Sequence, residues 1–240
     1  MQSLQLSLID FSNKRSSNHF IDYNDYIEYQ TKKGLSFEKD NIKWTEGQVK
    51  CIKAKFSHLS NKNLRILDIC CGDGRGLKTF IDLGFKDITG VEICDEKIII
   101  AKQIHNNILK RDICSGPFEL GEKYDIIYSS HSLEHVLNPE FTLKNILTFL
   151  KEDGICFLIL PYPDLNAGDP QNDHSFKIHC GVVPLGLHIE DNGNTVCSNI
   201  EKMGFKVLEK SFFNYRENEI HITIKKISVK YFIYYFFLIF

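Results

Sequence analysis

Apolar and polar positions change rhythm along this chain. Residues 1–20 or so are polar, rich in Ser and Asn, and predict no packed element. Asp22 to Lys33 and Thr45 to Leu59 carry apolar residues at helical spacing, broken at Gly34. From residue 64 short apolar runs take over. Leu64–Ile69, Ile88–Ile93, a short run near Ile108–Arg111, Tyr124–Ser129 and Ile155–Leu160 read as strands. Helical stretches lie between them. One runs from about Gly76 to Leu83. A second starts on Asp95 as its cap and runs to about His105, with Ile98, Ile99 and Ile104 turned inward. A third opens at Asn138-Pro139 and ends near Lys151, with Gly154 just past it. A last helix covers Asn194–Met203. Strands near Phe205–Phe213 and Glu219–Ile227, joined at Tyr215–Asn218, predict an antiparallel pair. Strands alternating with helices predict an α/β fold: a doubly wound, mostly parallel seven-stranded sheet with a C-terminal antiparallel hairpin.

In such sheets a ligand sits outside the carboxyl ends of the strands. The first strand ends on an acid, Asp68, and a turn carrying Gly72, Gly74 and Gly76 follows. A backbone bent that sharply needs glycine, which also lets a ligand approach the main chain. A dinucleotide site would offer the turn to a pyrophosphate, which an acid repels. The spacing also departs from Gly-x-Gly-x-x-Gly: the sixth position is Leu77 counted from Gly72 and Thr79 counted from Gly74. An acid here suits a ligand that is cationic at this point, and S-adenosylmethionine, with its ammonium and sulfonium, is one. The second strand ends at Glu92, followed by Ile93. A carboxylate there can accept both hydroxyls of a ribose.

On these residues the chain resembles the class I S-adenosylmethionine-dependent methyltransferases, from about Asn63 to Ile227. Their usual first motif is acid-x-Gly-x-Gly-x-Gly. Here it runs Asp68-Ile69-Cys70-Cys71-Gly72-Asp73-Gly74, with Cys70 in place of the first glycine. The resemblance implies a Rossmann-like sheet and S-adenosylmethionine as cofactor. It implies that Asp112 accepts from the adenine amino group and that Ile113 packs on the ring. It also implies that Ser129 and Ser130 lie beneath the methionine moiety, in the stretch Ser129-Ser130-His131-Ser132-Leu133-Glu134-His135.

Length and composition narrow the rest. A chain of 240 residues fits one α/β domain with an N-terminal addition. The expected division is a helical cap over 1–60, the methyltransferase domain over 61–227 and an apolar tail over 228–240. Net charge is −2, with no block of like charges, which disfavours a nucleic-acid surface. The eight cysteines include no Cys-x-x-Cys pair and read as buried, reduced thiols of a cytoplasmic protein. The ten residues after Lys230 are uncharged and strongly apolar, too few to span a bilayer as a helix. With Lys225, Lys226 and Lys230 before them they suit an interfacial anchor on anionic lipid, or equally packing on the domain or in a homodimer contact.

Methyl transfer to an oxygen of high pKa benefits from a general base, and histidine titrates in the useful range. The candidates are His131, and His174 and His179 in the long connection after the fifth strand. Asp164, Asp169, Asp173, His174 and His179 are ligand types that a divalent cation takes, but such loop clusters usually face water, and no metal is expected. The segment after the fourth strand lacks the Pro-Pro-aromatic motif of amino-methylating DNA enzymes and the Pro-Cys of cytosine-ring enzymes. Only one of the two glutamates of arginine-directed enzymes is present. A small-molecule or glycan acceptor, methylated on oxygen or nitrogen, remains. Tyr23, Tyr26, Tyr29 and Trp44 in the N-terminal segment either shape its pocket or pack plainly. Two other classes stay open: a non-catalytic binding or scaffold module that keeps the fold, and a nicotinamide-dependent oxidoreductase.

Overall fold

The computed structural model describes residues 42–113, 119–133, 136, 139–161, 192–214 and 218–227. The expected helix at Asp22–Lys33 with Tyr23, Tyr26 and Tyr29, residues His174 and His179 with their loop, and the C-terminal tail lie outside the described residues.

The elements are α1 (Ile42–Phe56), β1 (Arg65–Ile69), α2 (Arg75–Asp82), β2 (Asp87–Glu92), α3 (Asp95–Ala101) and β3 (Ile108–Lys110). After these come β4 (Tyr124–Ser130), α4 (Pro139–Thr148), β5 (Leu150–Pro161), α5 (Asn194–Lys202), β6 (Phe205–Asn214) and β7 (Asn218–Lys226). The seven strands form one sheet in the order β3-β2-β1-β4-β5-β7-β6. Pairings from β3 through β5 are parallel, and β7 runs antiparallel between β5 and β6. The strand order reverses direction between β1 and β4, the place where open α/β sheets take their ligands at the carboxyl ends.

Alternation along the strands divides the core into two layers. Ile66, Ile126, Tyr128, Phe157 and Ile159 pack on one face, against Ile52 and Phe56 of α1, Leu77 and Phe80 of α2, and Ile98 of α3. Leu67, Ile127, Leu158, Ile220 and Ile222 pack on the other, against Leu143 and Ile146 of α4 and Val196 and Ile200 of α5. The aromatic residues concentrate on the α1 side, where the rings of Phe56 and Phe157 meet edge-on at 5.6 Å.

Three boundaries differ from the sequence expectation. Cys94, not Asp95, precedes the first helical residue of α3, and it makes no side-chain cap bond. Within that helix Ile98 is buried but Ile99 is 63% exposed, and the helix stops at Ala101, which leaves Ile104 past its end at the surface. The third helix ends at Thr148 and β5 begins at Leu150, so Gly154 sits inside a strand. Its glycine is needed for close approach: a Cβ there would come within 2.9 Å of Asp125 O and 3.0 Å of Tyr124 O. The register of β4 against β5 shifts at this place, between Tyr124 and Ile126.

Candidate active site

The β1–α2 turn holds the tightest geometry. Cys70, Gly72 and Gly74 all take positive φ, of 56°, 57° and 88°. Cysteine therefore adopts the left-handed conformation that the missing glycine would have adopted, at some strain. The Gly72 N–H donates to Glu92 Oε2 at 3.0 Å, tying the turn to the end of β2. Glu92 Oε1 accepts from the N–H groups of Ile93, at 2.8 Å, and Cys94, at 3.0 Å. Three backbone donors thus fix this carboxylate, and the lone pairs left over are those a ribose diol would meet. Ile93 contributes its backbone here.

Asp68 is 2% exposed, and its Oδ2 has no hydrogen-bond partner among the described residues. Burial, reinforced by the Glu92 carboxylate, holds its pKa well above the ordinary aspartate value. Gly76 keeps the space beside that oxygen open, since a Cβ would come within 2.6 Å of Asp68 Oδ2 and 3.1 Å of Gln48 Nε2 on α1. A buried carboxylate oxygen without a donor, next to a turn of bare backbone, is the right receptor for an ammonium group and the wrong one for a pyrophosphate. The residues present fit S-adenosylmethionine. Next to Asp68 the Cys71 thiol is pushed up by burial, and by Asp68 and Glu92 after it.

The remaining expected contacts fall at the same end of the sheet. Asp112 is half-buried and Ile113 fully buried just past β3. Ser129 is buried at the end of β4, and Ser130 is half-buried beside it.

His131 follows directly. Its φ is 52°, its N–H donates to Ile159 O at 3.0 Å, and its Nε2 lies 2.9 Å from Glu219 Oε1. The other Glu219 oxygen, Oε2, lies 3.0 Å from His221 Nε2 and 3.7 Å from the Cys51 sulfur, which donates to it. The Glu219 side chain is wholly buried. Sequence reasoning missed Glu219, His221 and Cys51. The signal was present in Asn218–Lys226, where Glu219, His221 and Thr223 alternate with Ile220, Ile222 and Ile224. A polar stripe in a strand covered on both faces must itself be buried, and buried polar groups need partners. Helix α1 ties the two halves together, with Gln48 beside the Asp68 turn and Cys51 one turn later beside Glu219.

Over residues 43–210 the chain matches the family described as a methyltransferase domain. Curated relatives include a ubiquinone biosynthesis O-methyltransferase of Glaesserella parasuis, 33% identical over 104 residues that cover 39% of this chain and 44% of that one. A sterol 4-C-methyltransferase of Caenorhabditis elegans is 29% identical over 181 residues, covering 69% of this chain and 53% of that one. The chain spans about half the length of the curated relatives it matches. Among solved structures, a magnesium protoporphyrin IX methyltransferase from Synechocystis with bound S-adenosylhomocysteine superposes with a TM-score of 0.52 at 13% identity, covering 91% of this chain and 94% of that one. That likeness speaks for the fold. With the family match running through most of the sheet, and the Asp68 turn shaped for a cation, the chain belongs to the S-adenosylmethionine-dependent methyltransferases of class I.

Proposed function

We propose that this protein transfers a methyl group to a hydroxyl oxygen of a small molecule, with His131 as the general base. The observation that carries the reading is the buried Glu219 carboxylate 2.9 Å from His131 Nε2, at the sheet end where Asp68 and Glu92 stand. S-adenosylmethionine supplies a methyl group on a sulfonium, a leaving group that needs no further activation. What the protein adds is position and a proton acceptor.

Asp68 receives the ammonium of the methionine moiety, and Glu92 the ribose hydroxyls. Asp112 and Ile113 face the adenine, and Ser129 and Ser130 border the methionine chain. In the tautomer whose Nε2–H donates to Glu219, His131 Nδ1 carries the lone pair that takes the acceptor's proton. The new O–C bond forms as the S–C bond breaks, its electron pair returns to sulfur, and the proton rests on His131. Glu219 steadies the imidazolium that results. A base built in this way favours oxygen over a carbon acceptor. The relatives named for oxygen and carbon acceptors show that the family name alone does not choose between them.

Two measurements test the reading. Titration with S-adenosylhomocysteine and NADH in parallel should show binding of the first alone, weakened at least ~10-fold by Asp68→Ala and by Glu92→Ala. Turnover over a panel of phenols, aliphatic alcohols and sugars should fall by about 10²–10⁴-fold in His131→Ala, with binding of S-adenosylhomocysteine retained. Full turnover in that variant overturns the base assignment. Tight cofactor binding without turnover on any acceptor favours a scaffold, and a sugar as sole substrate replaces the small molecule by a glycan. Binding of NADH alone revives the oxidoreductase.

A further inference from the structure

Cys51, Glu219 and His221 come from one helix and one strand, 168 and 170 residues apart in sequence, and all three are buried. Their ligand atoms lie within 4.8 Å of one another. The three edges of the triangle they form measure 3.0 Å from Glu219 Oε2 to His221 Nε2, 3.7 Å from Cys51 Sγ to Glu219 Oε2, and 3.9 Å from Cys51 Sγ to His221 Nε2. A tetrahedral zinc ion with ordinary bond lengths separates an oxygen from a nitrogen ligand by about 3.3 Å and either from a sulfur by about 3.6 Å. The triangle therefore matches one face of such a tetrahedron to within a few tenths of an ångström.

We propose that Cys51, Glu219 and His221 form a binding site for a divalent cation of the zinc class. The donor set is thiolate, imidazole and carboxylate. It selects Zn²⁺ or Co²⁺ over the hard cations Mg²⁺ and Ca²⁺, which take oxygen alone. Three protein ligands leave a fourth position for water or an oxygen ligand. Binding displaces the Cys51 thiol proton to solvent and requires His221 to carry its proton on Nδ1, so that Nε2 faces the ion. Glu219 uses only Oε2 toward the cation, because Oε1 is 2.9 Å from His131. His131 then stands outside the ligand set and orients the ligating carboxylate, the arrangement that metal sites use to hold their ligands. Two rings lock His221 from the sides: Phe157 meets it edge-on at 5.5 Å and Phe213 lies 4.6 Å away. A ligand fixed by packing loses little entropy on binding. The sequence predicts no metal, and these three residues are not those of the aspartate-rich stretch Asp164 to His179. The inference does not rest on methyl transfer.

The test uses the full chain, reduced and stripped with chelator, then titrated anaerobically with Co²⁺. Wild type is expected to take about one equivalent and to show the near-ultraviolet thiolate-to-cobalt band, bleached by added Zn²⁺. Cys51→Ser should abolish the band, while Cys70→Ser and Cys197→Ser keep it. His131→Ala should weaken Co²⁺ by about 10–100-fold, as loss of an outer partner does. Far-ultraviolet circular dichroism and a cooperative melt report that each variant is folded, and Glu219→Gln replaces Cys51→Ser if that variant is not. No stoichiometric cobalt in folded wild type, or a band that survives in Cys51→Ser, overturns the site. Metal binding by a protein that fails to bind S-adenosylhomocysteine would overturn the proposed function and leave this site standing.

Discussion

At the scale of single residues, Asp68 is a carboxylate held where its charge is expensive. Burial, with Glu92 adding to it, raises its pKa well above 3.8. Between the ordinary aspartate pKa and the raised one, the native ligand-free protein thus holds a proton there that the unfolded chain has released. Stability from this residue is fully present below the ordinary aspartate pKa and is lost as pH rises through the raised one. Asp68→Asn should therefore raise the melting temperature of the ligand-free protein at pH 8 and leave it nearly unchanged near pH 3.8, while S-adenosylhomocysteine binds more weakly. Melting curves with and without ligand check both halves. A variant that is no more stable at pH 8 would show that Asp68 pays no desolvation cost.

At the scale of elements, the β4–β5 pairing depends on one glycine. A Cβ on Gly154 would meet Leu150 Cδ1 at 2.8 Å and two backbone carbonyls of β4 at 2.9 and 3.0 Å. Backbone cannot swing away as a side-chain tip can. Gly154→Ala should destabilise the protein by about 1–3 kcal/mol in urea unfolding, without changing the cofactor ligands. This glycine also shows where sequence reading stops. As a residue just past a helix it looked like a C-cap, because a run of Leu150-Lys151-Glu152-Asp153 carries no strand signal. Only the register against β4 makes it strand. The Asp68 turn is legible because acid and glycines lie within nine residues, Asp68–Gly76, at the end of the strand, and the chemistry is local. Ile104 is at the surface because α3 ends early, at Ala101, and Ile99, one residue from the buried Ile98, turns to the outer side of the helix. Cys51 and Glu219 were illegible as partners because only the fold brings them together.

At the scale of the molecule, the residues proposed to hold the cofactor, Asp68, Glu92 and Asp112, stand on β1, on β2 and just past β3, while the proposed base His131 follows β4 and its partner Glu219 lies on β7. A ligand that engages the first set alone still ties several strands of one sheet, so its binding should stabilise the whole cooperative unit. S-adenosylhomocysteine at 100 times its Kd contributes about 2.7 kcal/mol, which is about 5–10 °C of melting temperature for a chain of this size. Calorimetry with S-adenosylhomocysteine and with NADH reads this directly, and an unshifted transition with the former would contradict binding to the native fold.

The thiol of Cys71 has one more consequence. S-adenosylmethionine is an alkylating agent, and Cys70 and Cys71 follow directly on the end of β1 where Asp68 stands. A thiolate there would be a better nucleophile than an alcohol. Burial and the two carboxylates keep Cys71 protonated. If Asp68 and Glu92 receive the methyl donor as proposed, the same acids keep this thiol from consuming it, and the protein is spared its own chemistry.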